Sequence, residues 1–282
     1  MSTNASFIFY RKSGTREELC GRNDSNSTNN NNKESTFLDK KNLNELLGVN
    51  GVLSNCILIN GIKYKDYFEI SGALTFSLKI VYPGLVIGAG YEHPILKKDP
   101  KSIEPSDFQL GFFFDHTTGM PVIPGSSVKG IIKSVFPKKI PKDAKEEEKE
   151  LLKKINCEKL QYVNKALNYS NLINEENWET LFDKEDIFYD AFIDIDKPPR
   201  YGKVFAEDYI TPHKSQFSDP TPLRFLKIAP GVTFIFQFKL VDTKINDLLI
   251  SKENKLNLFK KIVSDFGVGA KRNVGYGNFV EG

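Results

Sequence analysis

The chain has 282 residues and a mass of 32.0 kDa, with 40% hydrophobic and 12% aromatic side chains, enough for one elaborated domain or two modest ones. No apolar run reaches the ~20 residues that a bilayer span needs, and the start MSTNASFIFYRKSG lacks the pattern of a secretory leader, so a cytosolic protein with no membrane partner is expected. A net charge of +3 permits an RNA partner without demanding one, while Cys20, Cys56 and Cys157 suit neither a disulfide framework nor a zinc site.

Residues 1–66 read as an N-terminal extension. Within it the tract GRNDSNSTNNNNKEST at 21–36 has almost nothing to bury and is expected to be a disordered loop. Residues 67–282 read as one folded domain. Leu74, Phe76, Leu78 and Ile80 alternate with Thr75, Ser77 and Lys79, the period of a half-buried strand. The turn PGLVIGAGYEHP follows, then a short strand at 111–115. Pro124-Gly125-Ser126-Ser127 leads into VKGIIKSVF, a predicted helix capped by a small hydroxyl residue.

Residues 142–170 carry a helical stripe of Leu152, Ile155, Val163, Ala166 and Leu167. Trp178, Leu181 and Phe182 mark a second short helix, giving a helical insertion at 142–182. Its acidic and basic residues are interleaved, which describes a solvated face rather than an RNA-binding one. Strands are predicted at 187–193, 223–228 and 232–240. In the last, Val232, Phe234, Phe236, Phe238 and Leu240 share one face. Such a face can stack bases, but with no basic neighbours on the same side it reads as core. Leu256, Phe259, Ile262, Val263 and Phe266 mark a helix ending at Gly267, and a final strand is expected at 276–280. The order predicts an α+β fold with a ferredoxin-like antiparallel sheet and no internal repeat.

Two glycine segments could carry chemistry. In the first, Gly125, Ser126 and Ser127 open a helix whose free N–H groups and dipole suit a phosphate, with Lys129 and Lys133 one turn apart on it. It is not a Walker loop, because Lys129 precedes Gly130. The second is FGVGAKRNVGYGN at 266–278. Gly267, Gly269, Gly275 and Gly277 allow close backbone approach, Lys271 and Arg272 could grip a phosphodiester, Asn273 can hydrogen-bond and Tyr276 can stack. Its GxGx5GxG spacing after a helix argues against a dinucleotide site, and no cofactor is expected.

Together PVIPGSSVKG and FGVGAKRNVGYG resemble the RAMP superfamily of CRISPR-associated proteins, and within it the Cmr subunits of type III-B effector complexes. Gly88-Ala-Gly90, Phe188-Tyr-Asp-Ala-Phe192, Thr211-Pro-His213 and Pro222-Leu-Arg-Phe-Leu226 resemble further family segments in the same order. The resemblance runs from about Phe68 to Phe279. It departs at Ile193, where a proline is usual, and at Arg272, where Thr or Ser is usual, and residues 1–66 have no counterpart. The resemblance implies a ferredoxin-like core whose glycine-rich loop holds guide RNA (crRNA) beside neighbouring Cmr subunits. The branch it is most similar to sits at the 3′ end of the guide and acts as a structural subunit in antiviral defence, not as the nuclease. Target RNA is a further candidate partner.

His213 is the main rival. A histidine near neutral pKa could serve as general base in metal-independent cutting of precursor guide RNA, with Lys214 steadying the phosphate. No second histidine stands nearby as the acid, and His93 and His116 are solitary, so His213 and Lys214 are expected to contact RNA without catalysis. Asp190, among apolar neighbours, reads as a fixed hydrogen-bond acceptor. Asp115, Asp190, Asp208 and Asp219 could meet around a magnesium ion only if the fold gathers them, and no metal ligand is assigned.

Overall fold

The largest sheet begins where the period-2 pattern begins, at Leu74. The computed structural model describes residues 58–59, 62–63, 68–88, 92–94, 107–110, 112–115, 120–197, 199, 204–210 and 223–282. The Asn-rich tract 21–36, Ala89, Gly90, His116, His213, Lys214 and Asp219 lie outside these residues. In chain order the strands are β1 (Leu58–Ile59), β2 (Ile62–Lys63), β3 (Leu74–Ile80), β4 (Glu92–Pro94), β5 (Asp107–Leu110), β6 (Phe113–Phe114) and β7 (Pro121–Ile123). Helices α1 (Gly125–Ser134) and α2 (Glu146–Ala166) and a 3₁₀ turn at Trp178–Leu181 follow. The chain then forms β8 (Ile187–Phe188), β9 (Ala191–Ile193), β10 (Phe205–Ile210), β11 (Leu223–Ile228), β12 (Thr233–Lys239), β13 (Thr243–Ile245) and β14 (Leu248–Ile250), helix α3 (Lys252–Phe266) and β15 (Phe279–Glu281).

The main sheet has the order β15-β3-β12-β9-β7-β6, with β8 also on β12, and all its pairings are antiparallel. Four adjacent strands, taken in sequence as β3, β9, β12 and β15, lie in the order fourth, first, third, second. That is the ferredoxin-like arrangement. The pair β6–β7 extends it and delivers the chain to α1.

One face of this sheet is the core. Leu78, Ile80, Phe234, Phe236 and Phe238 are buried against Leu258, Phe259, Ile262 and Val263 of α3 and Val128 and Ile132 of α1. The phenylalanine stripe of β12 is core, as its lack of basic neighbours foretold: Phe236 stacks on Phe76 at 5.1 Å and Phe238 meets Phe259 at 5.9 Å. Each such ring contributes ~1.5–3 kcal/mol by leaving water. Ser251 caps α3 by accepting from the Asn254 N–H at 3.2 Å. Helix α2 carries Glu146, Glu147 and Glu148 in its first turn and Lys165 in its last, both favourable to its dipole.

A second sheet, β10-β11-β5-β4, was not expected. Its β11–β5 pairing is parallel and joins segments far apart in the chain. Three boundaries also differ from the predicted ones. The strand expected at 187–193 is broken between Phe188 and Ala191: the Tyr189 N–H still bonds Gln237 O at 3.1 Å, but the register on β12 then slips by one residue, from Phe188 opposite Phe238 to Phe192 opposite Ile235, which leaves Asp190 out of the ladder. Within the stretch 111–115, the described residues form a strand at Phe113–Phe114. The last strand starts at Phe279, since Tyr276 and Gly277 belong to the preceding loop. Among the described residues no helix is long and apolar enough to cross a membrane.

Candidate RNA interface

Helix α1 does not start as its sequence suggests. Pro124, not a serine, occupies the N-cap, and no side chain of the helix caps it. The Gly125 N–H donates instead to Asp190 Oδ1 at 2.7 Å, across 65 residues. Ser127 and Val128 N–H groups both return to Pro124 O, at 2.9 and 3.1 Å. Of the expected phosphate cradle at Gly125, Ser126 and Ser127, the Gly125 and Ser127 N–H groups are therefore taken by the chain itself, while Ser126 is exposed. A carboxylate sits where an anion would bind, which also realises the reading of Asp190 as a fixed acceptor. Gly125 is required there because a Cβ would lie 2.2 Å from Phe188 O. Lys129 and Lys133 rest their ammonium groups over the rings of Phe188 and Phe182, each at 5.1 Å.

The two glycine segments do not meet. Strand β7 ends beside the start of β9, with Ile123 opposite Ala191, so α1 begins at the Leu74–Phe238 end of the sheet. The C-terminal loop packs beyond the other end, where Lys79 faces Thr233. Roughly 17 Å of strand separates them.

The C-terminal loop is laced into the turn that follows β3. Ala270 N–H bonds Val86 O at 2.7 Å, Gly277 N–H bonds Gly84 O at 2.8 Å and Val268 N–H bonds Gly277 O at 2.9 Å. Leu85 in turn exchanges two 3.0 Å bonds with Ile228 of the second sheet. Gly277 has φ +73 and an added Cβ would stand 1.9 Å from Val268 O, so no other residue fits. The close backbone approach that Gly267, Gly269 and Gly277 permit is thus made to the chain's own carbonyls.

Tyr276 is fixed by the same packing. Its ring is 8% exposed and lies against Phe225, and its hydroxyl donates to Asp208 Oδ2 at 2.5 Å. Lys227 Nζ binds the same oxygen and lies 5.4 Å above the Tyr276 ring. Burial pushes the Tyr276 phenol above its usual range, and the Asp208 charge pushes it further. Burial alone would raise the Asp208 carboxyl, but hydrogen bonds from Lys227, Tyr276 and the Tyr209 N–H hold it below the ordinary carboxylate value. Tyr276 is consequently a bolt between the glycine loop and the second sheet, and the stacking role expected for it is taken away by this burial.

What the loop leaves outside is Lys271, Arg272, Asn273 and Val274, all exposed. Lys271 sits in the left-handed region at φ 57, and its carbonyl accepts from both Val274 and Tyr276 N–H groups. Arg272 Nη1 donates to Phe266 O at 3.1 Å, at the negative end of α3, leaving its other donors outward. Neither cation has a carboxylate within salt-bridge distance among the described residues, whereas Lys149, Lys153, Lys244, Lys260 and Lys261 all do. Gly275 seats on Pro83, and beside it Tyr82 is 83% exposed. No local pattern marks Lys227, and Tyr82 is marked only by its place directly before a Pro-Gly turn. Among the described residues no three His, Cys, Asp or Glu side chains come together as a metal site.

These elements belong to a known family. The chain is a member of the RAMP superfamily, whose model matches residues 77–280. Among solved structures it is similar to a chain of the type III-B Cmr-beta complex bound to cognate target RNA. That match has 20% identity and a TM-score of 0.46, covering 99% of this chain and 90% of that one. It is also similar to Cmr6 from Pyrococcus furiosus, at 20% identity and a TM-score of 0.43, covering 76% of this chain and all of that one. Comparison with curated protein sequences finds no match.

Proposed function

We propose that this protein is a non-catalytic subunit of a type III-B Cmr effector complex that binds guide RNA at its 3′ end. The observation that carries this reading is the outward pair Lys271 and Arg272, unneutralised by any described carboxylate and mounted on a loop bolted to both sheets. Exposed cations on a rigid backbone suit phosphodiester contacts, which position an RNA without reading its sequence. Membership of the RAMP superfamily and the ordered motif resemblance supply the guide-RNA and Cmr context.

Affinity purification of the tagged chain from its native host tests this. Short RNAs sharing one repeat-derived 5′ tag, together with several other proteins, are the expected yield. A chain that emerges without RNA would overturn the reading. Repeat RNA incubated with the pure chain in EDTA should stay intact. Cutting at one position, lost in His213→Ala, would replace this function with an endoribonuclease.

A further inference from the structure

Tyr82 is the most exposed large hydrophobic residue among the described residues, at 83%, and the turn it opens packs on the loop that carries Lys271 and Arg272. Its backbone is held on both sides. Val81 N–H bonds Asn278 O at 3.1 Å, and Gly84 O receives the Gly277 N–H at 2.8 Å. Between them Pro83 supports Gly275, whose added Cβ would stand 3.3 Å from Pro83 Cδ. Gly275, which closes the turn carrying Lys271 to Val274, therefore packs on the residue that follows Tyr82. Val274, 63% exposed, adds apolar area to that turn. Asp208, the carboxylate that Tyr276 of the loop engages, is neutralised by Lys227.

An exposed aromatic ring on one turn, with two cations and an amide on the turn bonded to it, match the two halves of a nucleotide. A protein partner would need acidic groups to meet Lys271 and Arg272. An unpaired RNA strand brings phosphates for the cations and a flat base for the ring. We propose that Tyr82 is a base-stacking platform, which holds the base of an unpaired nucleotide whose phosphate lies on Lys271 and Arg272. This rests on the reading of the loop as an RNA grip and names the part of RNA that the grip holds beside the backbone. Because the backbone under the ring is already fixed, ordering costs little when the base docks. Stacking accepts any base, so the contact adds affinity without sequence preference.

The test uses the full chain and a single-stranded repeat RNA, read by fluorescence anisotropy. Tyr82→Ala should weaken binding roughly tenfold, the loss of one stacked base, with the salt dependence unchanged. Tyr82→Phe should bind like wild type, since the ring and not the hydroxyl is needed. Abasic sites placed along the RNA should reveal one position where the missing base costs wild type as much as Tyr82→Ala does, and costs that variant nothing further. Equal binding by Tyr82→Ala and wild type would overturn the proposal, as would abasic losses that are the same in both at every position. Unchanged RNA binding with loss of co-purifying proteins would assign Tyr82 to a subunit contact instead. Lys271→Ala with Arg272→Ala serves as the separate control. If that variant binds RNA normally while Tyr82→Ala does not, the loop reading fails and with it the placing of the phosphate, leaving a base contact at Tyr82 alone; the reverse pattern sinks the platform alone.

Discussion

At the scale of single residues the decisive group is Asp208. One of its oxygens receives both the Tyr276 hydroxyl and Lys227, so the glycine loop and the second sheet share a charged hydrogen bond. Hydrogen bonds to charged groups contribute about 1.5–3 kcal/mol, and Tyr276→Phe should lose about 1.5 kcal/mol at neutral pH. The sign with pH follows from the two shifts. Asp208 is held below its ordinary pKa, so its contribution is present above the normal carboxylate range and is lost as pH falls through its folded value. The Tyr276 phenol is raised, so its contribution is present below its ordinary pKa and is lost as pH rises beyond it. Urea unfolding of wild type and Tyr276→Phe should therefore show a gap near neutrality that shrinks in acid and again in strong alkali. A gap independent of pH would contradict the assigned bond. None of this was legible in the sequence, because Tyr276 and Asp208 are 68 residues apart and only the fold joins them. Lys271 and Arg272 were legible, since exposure in a glycine-rich loop needs no distant partner.

At the scale of elements the anchor is a buried ion pair. Lys255 of α3 and Asp186 are both fully buried, with Nζ to Oδ2 at 2.9 Å. Asp186 also accepts from Val241 N–H and Asp183 N–H, both at 3.0 Å. The pair thus ties the first turn of α3 to the loop before β8 and to the end of β12. Removing one partner strands a buried charge and costs about 3–5 kcal/mol. Lys255→Met should lower stability by about 3 kcal/mol in chemical denaturation, and adding Asp186→Asn should restore part of it. A single variant as stable as wild type would refute the anchor. The elements that hydrophobic period could reveal, β3, β12 and α3, are where it placed them. The start of α1 was misread because its cap is Asp190, a residue that becomes available only when the strand before it breaks. The second sheet was missed because its parallel pairing depends on closure of a long loop, which local pattern does not encode.

At the scale of the whole molecule the fold separates two motifs that look alike in sequence. The Gly-Ser-Ser helix start lies at one end of the main sheet, satisfied by the chain's own carboxylate. The C-terminal loop lies at the other end, with its glycines spent on packing and its cations facing out. The ferredoxin-like order was readable from the succession of strands and helices, whereas which of the two segments stays open to a ligand was not. Lys271 and Arg272 as phosphate contacts are tested most directly by a salt titration of RNA binding by wild type and the Lys271→Ala, Arg272→Ala double variant. Two lost contacts on single-stranded RNA should weaken binding and reduce the slope of log affinity against log salt by about 1.4, with the unfolding transition unchanged. A double variant that keeps the wild-type slope and affinity would contradict the account.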